Sequence, residues 1–296
     1  MLVTMKELMQ EARKEGYGLT APNVQSEDTV RAVIEVAEEL KAPMIIDVNH
    51  FVSKDFVYFG HMIVDLVKDS PVPMCINLDH GNSFDEIMWA IRAGFTSVMV
   101  DRSSLPYEEN VRETAEVVRI CKPLGISVEA ELGHVGWGSN YAIDGVSNLT
   151  EPEQARKFIE ETGVDCLAVA IGSAHGKYKG TPHIDFELLE AIVKECGDTP
   201  LVLHGGSGTG DENLAKAVRN GIQKVNLCTD LFEAGRKTLE EALLDPNLMV
   251  YKYVPSFLKG YKEKLAHYVK LFGQDNRCSF ERKTVSSAVK EDNIMI

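Results

Sequence analysis

The sequence lacks an excess of basic residues, a signal-peptide-like start and any long apolar run. Its 31 Lys and Arg residues stand against 45 Asp and Glu, which gives a formal net charge of −14. Nucleic acids and anionic membranes require broad basic surfaces, so we expect neither as a partner. No apolar stretch approaches the roughly 18 residues of a membrane span, and the first residues lack the apolar region of a signal peptide. We therefore expect a soluble, cytoplasmic protein.

The chain also lacks CxxC spacing and any sign of a linker. Its six cysteines are scattered, and three of them lie in or beside strand-like runs, so we expect reduced thiols rather than disulfides. No composition shift or Pro- and Ser-rich segment divides the 296 residues, of which 44% are hydrophobic. This content is ample for a core, and we expect a single domain over residues 1–296.

Short apolar runs alternate with longer segments of helical period. Thr4 and Glu7 have capping-box spacing and predict a first helix that continues to about Lys14. Eight strand-helix units follow. The strands are predicted at 18–21, 43–48, 72–78, 97–101, 127–132, 166–171, 201–203 and 224–227. Seven of their helices are predicted at 26–40, 55–68, 84–93, 108–124, 185–196, 212–220 and 231–244. The helix after the fifth strand is predicted to begin at a capping box formed by Thr150 and Glu153. An additional helix is predicted at 251–272.

The predicted strands are continuous apolar runs, as expected where both faces of a parallel sheet are covered. Eight βα units in about 230 residues fit a TIM (β/α)8 barrel in number and length. The sequence thus predicts an α/β protein with a TIM barrel and extra N-terminal and C-terminal helices. A doubly wound open sheet is the alternative.

Three histidines follow predicted strands and are each followed by glycine. They are His80, His175 and His204. Because the carboxyl ends of barrel strands meet at one face, we expect these side chains to form one metal site. Three neutral imidazoles leave Zn²⁺ an open coordination position, which is typical of a catalytic Lewis acid.

Carboxylates occupy the same strand ends. Asp79 adjoins His80, and neighbouring residues on a strand point to opposite sides unless the backbone turns. Asp79 is therefore either catalytic or orients an imidazole. Glu129 and Glu131 share one face and must be balanced by a metal, a cation or hydrogen bonds. Glu131 lies nearer the catalytic end and is the one expected in the pocket.

A glycine-rich turn follows His204. Gly205, Gly206 and Gly208 with Ser207 leave backbone N–H groups free near a helix N-terminus, which favours an anion. Barrel phosphate sites commonly use the loops after strands seven and eight, and here the second of these loops begins at Asn226. We therefore expect a phosphate site, to which Lys179 would add a cation.

These stretches resemble the class II, metal-dependent ketose-bisphosphate aldolases, which include fructose-bisphosphate and tagatose-bisphosphate aldolases. The resemblance runs from about Leu8 to Phe272 and rests on the motifs Asn77–Gly81, Gly94–Asp101, Val128–Gly133, Ile171–Gly180, His204–Gly208 and Lys224–Asn226.

The resemblance implies Zn²⁺ bound by His80, His175 and His204, with Glu131 near the metal and Asp79 as the acid/base. It implies a lyase in which zinc stabilises the enediolate, with dihydroxyacetone phosphate and an aldehyde as products. A monovalent cation, Na⁺ or K⁺, and a homodimer or homotetramer are further family traits. The implied phosphate-binding residues are Gly176, Lys179, Gly205, Ser207, Asn226 and Thr229.

The sequence departs from the family at the distal half of the substrate. The loop after the fifth strand lacks the family's acidic pair, which only Asp144 could replace, and the segment 251–257 lacks the usual arginines. Arg102 either replaces this charge or forms a surface ion pair. Trp137 either stacks on substrate or anchors its loop, and Asp101 is a further candidate for specificity. A non-catalytic sugar-phosphate-binding paralogue, or a zinc epimerase or hydrolase, is the alternative function.

Overall fold

The computed structural model describes residues 1–138, 148–179 and 182–278. Asp144 lies outside these ranges. The described residues contain eight parallel strands, namely β1 Leu19–Pro22, β2 Met44–Val48, β3 Met74–Gly81, β4 Ser97–Val100, β5 Ser127–Leu132, β6 Cys166–Val169, β7 Leu201–Leu203 and β8 Ile222–Leu227.

Helices follow the strands in the predicted alternation. Within the described residues they are α1 Met5–Glu15, α2 Glu27–Leu40, α3 Phe56–Val67, α4 Phe84–Arg92, α5 Tyr107–Leu124, α6 Pro152–Thr162, α7 Phe186–Cys196, α8 Asp211–Arg219, α9 Thr229–Ala242 and α10 Tyr253–Leu271. Short 3₁₀ turns at His50–Val52 and Val250–Lys252 were not predicted. None of these helices is both long and apolar enough to cross a membrane.

The strands form a barrel. Each pairs in parallel with its sequence neighbour from β2 to β8, and β8 pairs with β1. A bridge between Asn23 and Asp47 then brings β1 next to β2. The predicted TIM barrel is confirmed, and the open doubly wound sheet is wrong.

Helix α1 covers the N-terminal end of the barrel. The predicted capping box is present, because Glu7 N–H donates to Thr4 Oγ1 at 3.2 Å and Thr4 N–H donates to the Glu7 carboxylate at 2.8 Å. The buried face of α1 packs on inward-facing side chains of the strands, among them Ile45, Cys75 and Val202. Apolar residues therefore fill the lower barrel, and polar side chains concentrate at its other end.

The predicted capping box at Thr150 is wrong. Helix α6 begins at Pro152, and Glu151 at its N-cap makes no side-chain hydrogen bond to the helix. Proline suits a first helical position because it has no N–H that needs a partner. Thr150 Oγ1 instead donates to the Leu132 carbonyl and accepts from Ala170 N–H at 2.8 Å, and so links the ends of β5 and β6.

Candidate active site

Alternation along the strands selects which side chains enter the barrel. On β3, Met74 and Ile76 pack outward while Cys75 belongs to the inner core, and the alternation continues with Asn77 and Asp79. By the same alternation, inner positions near the carboxyl ends of the strands are polar. They are Asn23, Asp47, Asn77, Asp79, Glu129, Glu131, His204, Lys224 and Asn226, all buried.

A backbone irregularity at the end of β3 turns both Asp79 and His80 toward the cavity. The register with β4 shifts between Leu78 and Gly81, and His80 has the left-handed φ of 53°. A side chain at Gly81 would meet the Met99 carbonyl oxygen at 2.5 Å, so glycine is required there. This bulge explains how two adjacent residues reach one site.

The three predicted histidines converge. Ligand nitrogens of His80, His175 and His204 all lie within 4.8 Å of one another. Nε2 of His80 lies 3.1 Å from Nδ1 of His204, and the ring centroids of His80 and His175 are 4.9 Å apart. The end of β3 and the loops after β6 and β7 thus bring together residues that are far apart in sequence.

The donor set fits a metal ion. His80 Nδ1 donates to Asp101 at 2.7 Å and His204 Nε2 donates to Glu129 at 2.8 Å, so a carboxylate orients each ring. If both rings are neutral, Nε2 of His80 and Nδ1 of His204 then face each other with lone pairs. A cation shared by the two nitrogens would stabilise this arrangement. Their 3.1 Å separation is close to the roughly 3.3 Å between nitrogens of a tetrahedral site with Zn–N bonds of about 2.0–2.1 Å.

The charges at the site favour one extra proton on His80. Burial opposes that proton, but the Asp79 charge and the hydrogen bond to Asp101 raise the pKa of His80 to about 10. Burial and the neighbouring His80 and His204 lower the pKa of His175 to about 3. Without a metal, a proton on His80 therefore lies between the facing nitrogens.

Three amides hold Asp79. Asn23 and Asn49 donate to its Oδ2 at 2.8 and 3.0 Å, and Asn226 donates to Oδ1 at 3.0 Å. Burial alone would raise the pKa of this carboxyl, but the charges of His80, His204 and Lys224 with the Asn23 bond hold it well below its usual range. Asp79 is therefore an oriented, ionised proton acceptor.

The two glutamates of β5 have different surroundings. Glu129 accepts hydrogen bonds from Lys224, at 2.7 Å, and from His204. The Lys224 ammonium supplies the cation that the buried Glu129 carboxylate requires. Glu131 Oε1 accepts from Val135 N–H at 2.9 Å, whereas its buried Oε2 has no hydrogen-bond partner among the described residues. Burial and the Asp101 charge raise the pKa of Glu131 to about 8.

Glu131 lies near the three converging histidines but does not form one group with all of them. It forms a second group with His80 and Asp101, with ligand atoms also within 4.8 Å. Its role near the metal stays a prediction.

The glycine-rich turn after β7 is closely packed. Gly205 has φ 68°, and a side chain there would meet Ala174 backbone atoms at 2.4 Å. Ser207 Oγ accepts from the N–H groups of Cys228 and Asp230 at 3.3 and 3.1 Å, at the N-terminus of α9. The turn and the start of α9 thus form one concave surface beside a helix N-terminus, which favours an anion.

A cavity of about 400 Å³ joins this surface to the histidines. It contains the predicted Asp101 and Trp137 as well as Gly176, Gly205, Ser207, Asn226 and Thr229. Lys179 is exposed and outside the lining, and its phosphate contact stays a prediction.

Arg102 points away from the cavity. Its Nε donates to Glu113 at 2.6 Å and its Nη1 to the carbonyls of Gly81 and Asp101. This placement favours the ion-pair interpretation.

Three side chains of the site were not predicted from the sequence, namely Asn23, Asn49 and Lys224. Asn23 and Asn49 orient Asp79, and Glu129 and Lys224 support His204. Glu129 was noted only as a carboxylate in need of balance. The signal for Lys224 and Asn23 was alternation, because each is a polar residue at an inward position of a strand or at its end.

The chain is similar to known proteins over almost its whole length. The family model described as fructose-bisphosphate aldolase class-II matches residues 3–277. A fructose-bisphosphate aldolase of Thermus caldophilus is 39% identical over 94% of this chain and all of that protein. One from Staphylococcus aureus is 38% identical over 93% of this chain and 99% of that protein. The crystal structure of the YdjI aldolase from Escherichia coli K12 has a TM-score of 0.84 and 35% identity, over 94% of this chain and all of that one.

Proposed function

Since the chain belongs to the class II fructose-bisphosphate aldolase family and is an aldolase, we propose that it cleaves a phosphorylated ketose to dihydroxyacetone phosphate and an aldehyde, using Zn²⁺. The observation that carries this proposal is the convergence of His80, His175 and His204 beside the Asp79 carboxylate, at the cavity that His80, His175 and Asp79 line. The reaction is reversible, so the same residues would serve the aldol condensation.

The three histidines would hold the metal. Bound there, Zn²⁺ would supply a Lewis acid that polarises the ketose carbonyl. Asp101 and Glu129 would keep the rings of His80 and His204 in the tautomers that leave a lone pair for the metal. Glu131 would lie near this centre.

Asp79 would act as the base. It takes the proton of the C4 hydroxyl as the C3–C4 bond breaks, so that C4 becomes the aldehyde carbonyl and the electron pair stays with C3. Subsequent protonation at C3 completes dihydroxyacetone phosphate. The amides of Asn23, Asn49 and Asn226 fix the carboxylate in place and keep it ionised.

The substrate phosphate would lie at the concave surface formed by the turn after β7 and the start of α9. Gly205, Ser207 and Thr229 line it, Gly176 and Asn226 adjoin it, and Lys179 would approach from outside. A monovalent cation, Na⁺ or K⁺, would add positive charge near the phosphate. The dipole of α9 contributes in the same direction.

We also infer a cytoplasmic, single-domain protomer that forms a homodimer or homotetramer. The family match spans nearly the whole chain, and the cysteines are free thiols, as in reducing compartments. Exposed apolar side chains concentrate in one segment, hereafter the 243–254 patch: Leu243, Leu244, Met249, Val250, Tyr251, Tyr253 and Val254. Such a patch is typical of a subunit interface.

The direct test is cleavage of a panel of ketose mono- and bisphosphates by the zinc-loaded protein. Dihydroxyacetone phosphate is detected through NADH oxidation by a coupled reductase. We expect turnover that a chelator removes and zinc restores, and we expect Asp79→Ala to abolish turnover while retaining zinc. Release of inorganic phosphate or of an epimer without dihydroxyacetone phosphate, or binding without reaction, would contradict the proposal.

A further inference from the structure

The cavity has two different halves. In an eight-stranded barrel the loops after β3 and β4 lie across from those after β7 and β8, where the glycine-rich turn is found. Loops after β2 to β5 contribute Phe51, Asn82, Asp101, His134 and Trp137 to the cavity lining. If phosphate lies at the turn after β7, the remaining carbons of the substrate extend toward these residues, hereafter the distal half.

Among the described residues, the distal half offers an anion no fixed positive charge. No lysine or arginine lines the cavity within residues 1–138, 148–179 and 182–278. Arg102 follows Asp101 in the sequence, but its guanidinium donates hydrogen bonds to Glu113 and to two backbone carbonyls. The segment 139–147 contains neither lysine nor arginine in its sequence. Asp101 also lines this half, and its carboxylate is already paired with His80, so it offers a second phosphate no favourable contact.

Aromatic rings occupy the rim instead. Phe51 and Trp137 are 68% and 66% exposed, although large apolar side chains of this size usually bury more of their surface. Trp137 is held in position, because its neighbour Gly136 accepts from His175 N–H and Gly138 N–H donates to the His175 carbonyl, both at 2.8 Å. Its ring lies 5.8 Å from the His175 ring. These rings can pack against the C–H groups of an uncharged polyol. Asn82, which also lines the cavity, can form hydrogen bonds with its hydroxyls.

From these observations, and given the proposed function, we propose that the aldehyde half of the substrate carries no phosphate. The preferred substrate is then a ketose 1-phosphate whose distal carbons form a neutral polyol chain, and the aldehyde product is unphosphorylated. Phosphate binding at the turn after β7 supplies anchoring, whereas the aromatic rim and a described lining without lysine or arginine supply selectivity.

Kinetics test this selectivity. We expect kcat/KM for the 1-phosphate of fructose or of tagatose to exceed that of the matching 1,6-bisphosphate by about tenfold or more. Using both sugars covers either configuration at C4. A smaller ratio, or a preference for bisphosphates, overturns the inference but leaves the aldolase proposal intact. If no ketose phosphate reacts, the proposed function fails, and binding alone decides the inference.

Binding is measured with Trp137 as the probe. Trp89 lies on the exposed side of α4, so Trp89→Phe leaves Trp137 as the one tryptophan. In this background we expect fructose 1-phosphate or tagatose 1-phosphate to quench fluorescence at lower concentration than the 1,6-bisphosphate, again by about tenfold. Tighter or equal binding of the bisphosphates overturns the inference.

A charge placed in the distal half gives the converse test. Phe51→Arg adds a cation to the lining, and we expect it to shift the ratio of kcat/KM at least about tenfold toward the bisphosphate. Tyr58→Arg is the matched control, because Tyr58 is 69% exposed and lies outside the cavity lining. The two variants changing the ratio equally, or Phe51→Arg leaving it unchanged, contradicts the inference.

Discussion

Lys224 donates a hydrogen bond of 2.7 Å to Glu129 inside the barrel, where both side chains are completely buried. The other carboxylate oxygen of Glu129 lies 2.8 Å from Nε2 of His204, and Asp47 lies 3.5 Å from the Lys224 ammonium. A buried cation is thus connected through one carboxylate to a histidine of the proposed metal site. We therefore expect stability and metal binding to depend on the same group of side chains.

Replacing Lys224 by methionine should destabilise the fold. Although burial alone would favour neutral lysine, the charges of Asp47 and Glu129 raise the pKa of Lys224, so the pair is ionised. Lys224→Met leaves the ionised Glu129 carboxylate buried without its cation, and we expect the free energy of unfolding to fall by about 3–5 kcal/mol in urea denaturation. Lys14→Met is the control, because Lys14 forms only exposed ion pairs. Equal loss in both variants would contradict this account.

Glu129→Gln should weaken metal binding. Glutamine keeps the size of the side chain but removes the charge that orients the His204 ring. We expect zinc affinity to fall about 10- to 100-fold, measured by competition with a chromophoric chelator. Glu113→Gln, which alters the Arg102 ion pair instead, should leave zinc affinity unchanged. Unchanged affinity in Glu129→Gln would mean that this carboxylate serves the fold alone.

The sequence predicted the barrel because its signals are local. Continuous apolar runs such as 97–100 indicated parallel strands, and their number indicated closure. The histidines were found because each precedes glycine at a strand end. Asn49 gave no such signal, since its role arises only when the barrel places β2 beside β3.

The directions of two side chains could also not be predicted from the sequence. Nothing local indicates the left-handed φ of His80, or that Arg102 turns outward to Glu113.

Zinc binding should release the His80 proton near pH 7.5. The pKa of His80 is raised to about 10, so this ring is protonated without metal, whereas the lowered pKa of His175 leaves that ring neutral. Zinc must displace the His80 proton, and affinity should therefore rise about tenfold per pH unit from pH 7 to 9. Calorimetry in buffers of different ionisation enthalpy measures the release. His61→Gln is the control, because His61 lies outside the cavity lining, and it should release the same number of protons on zinc binding. If the unaltered protein releases no proton on zinc binding, the protonation assigned to His80 is wrong.

The 243–254 patch should mediate self-association. Leu244 and Val250 are 83% and 72% exposed, and a carboxylate at either position would be buried in a subunit interface. We expect Leu244→Glu with Val250→Glu to lower the molar mass measured by light scattering after size-exclusion chromatography. Leu124→Glu places the same charge on an isolated exposed leucine elsewhere and should leave the mass unchanged. A mass unaffected by the double variant would exclude the patch as an interface.

Asn49 should control the base through orientation and charge. Its amide donates to both the carboxylate and the carbonyl of Asp79, at 3.0 and 3.2 Å. Asn49→Ala leaves Asn23 as the remaining described donor to Oδ2, and we expect kcat to fall about 10- to 100-fold with zinc content unchanged.

Asn49→Asp separates charge from orientation. A second carboxylate beside Asp79 would raise the pKa of Asp79, since like charges disfavour ionisation. The base is active only when ionised, so activity is lost as pH falls through that pKa, and the acid limb of kcat/KM should move to higher pH. Asn49→Ala removes a donor without adding charge and should move the limb less. If both variants lower kcat while the acid limb stays in place, Asn49 supports the cavity without acting on Asp79.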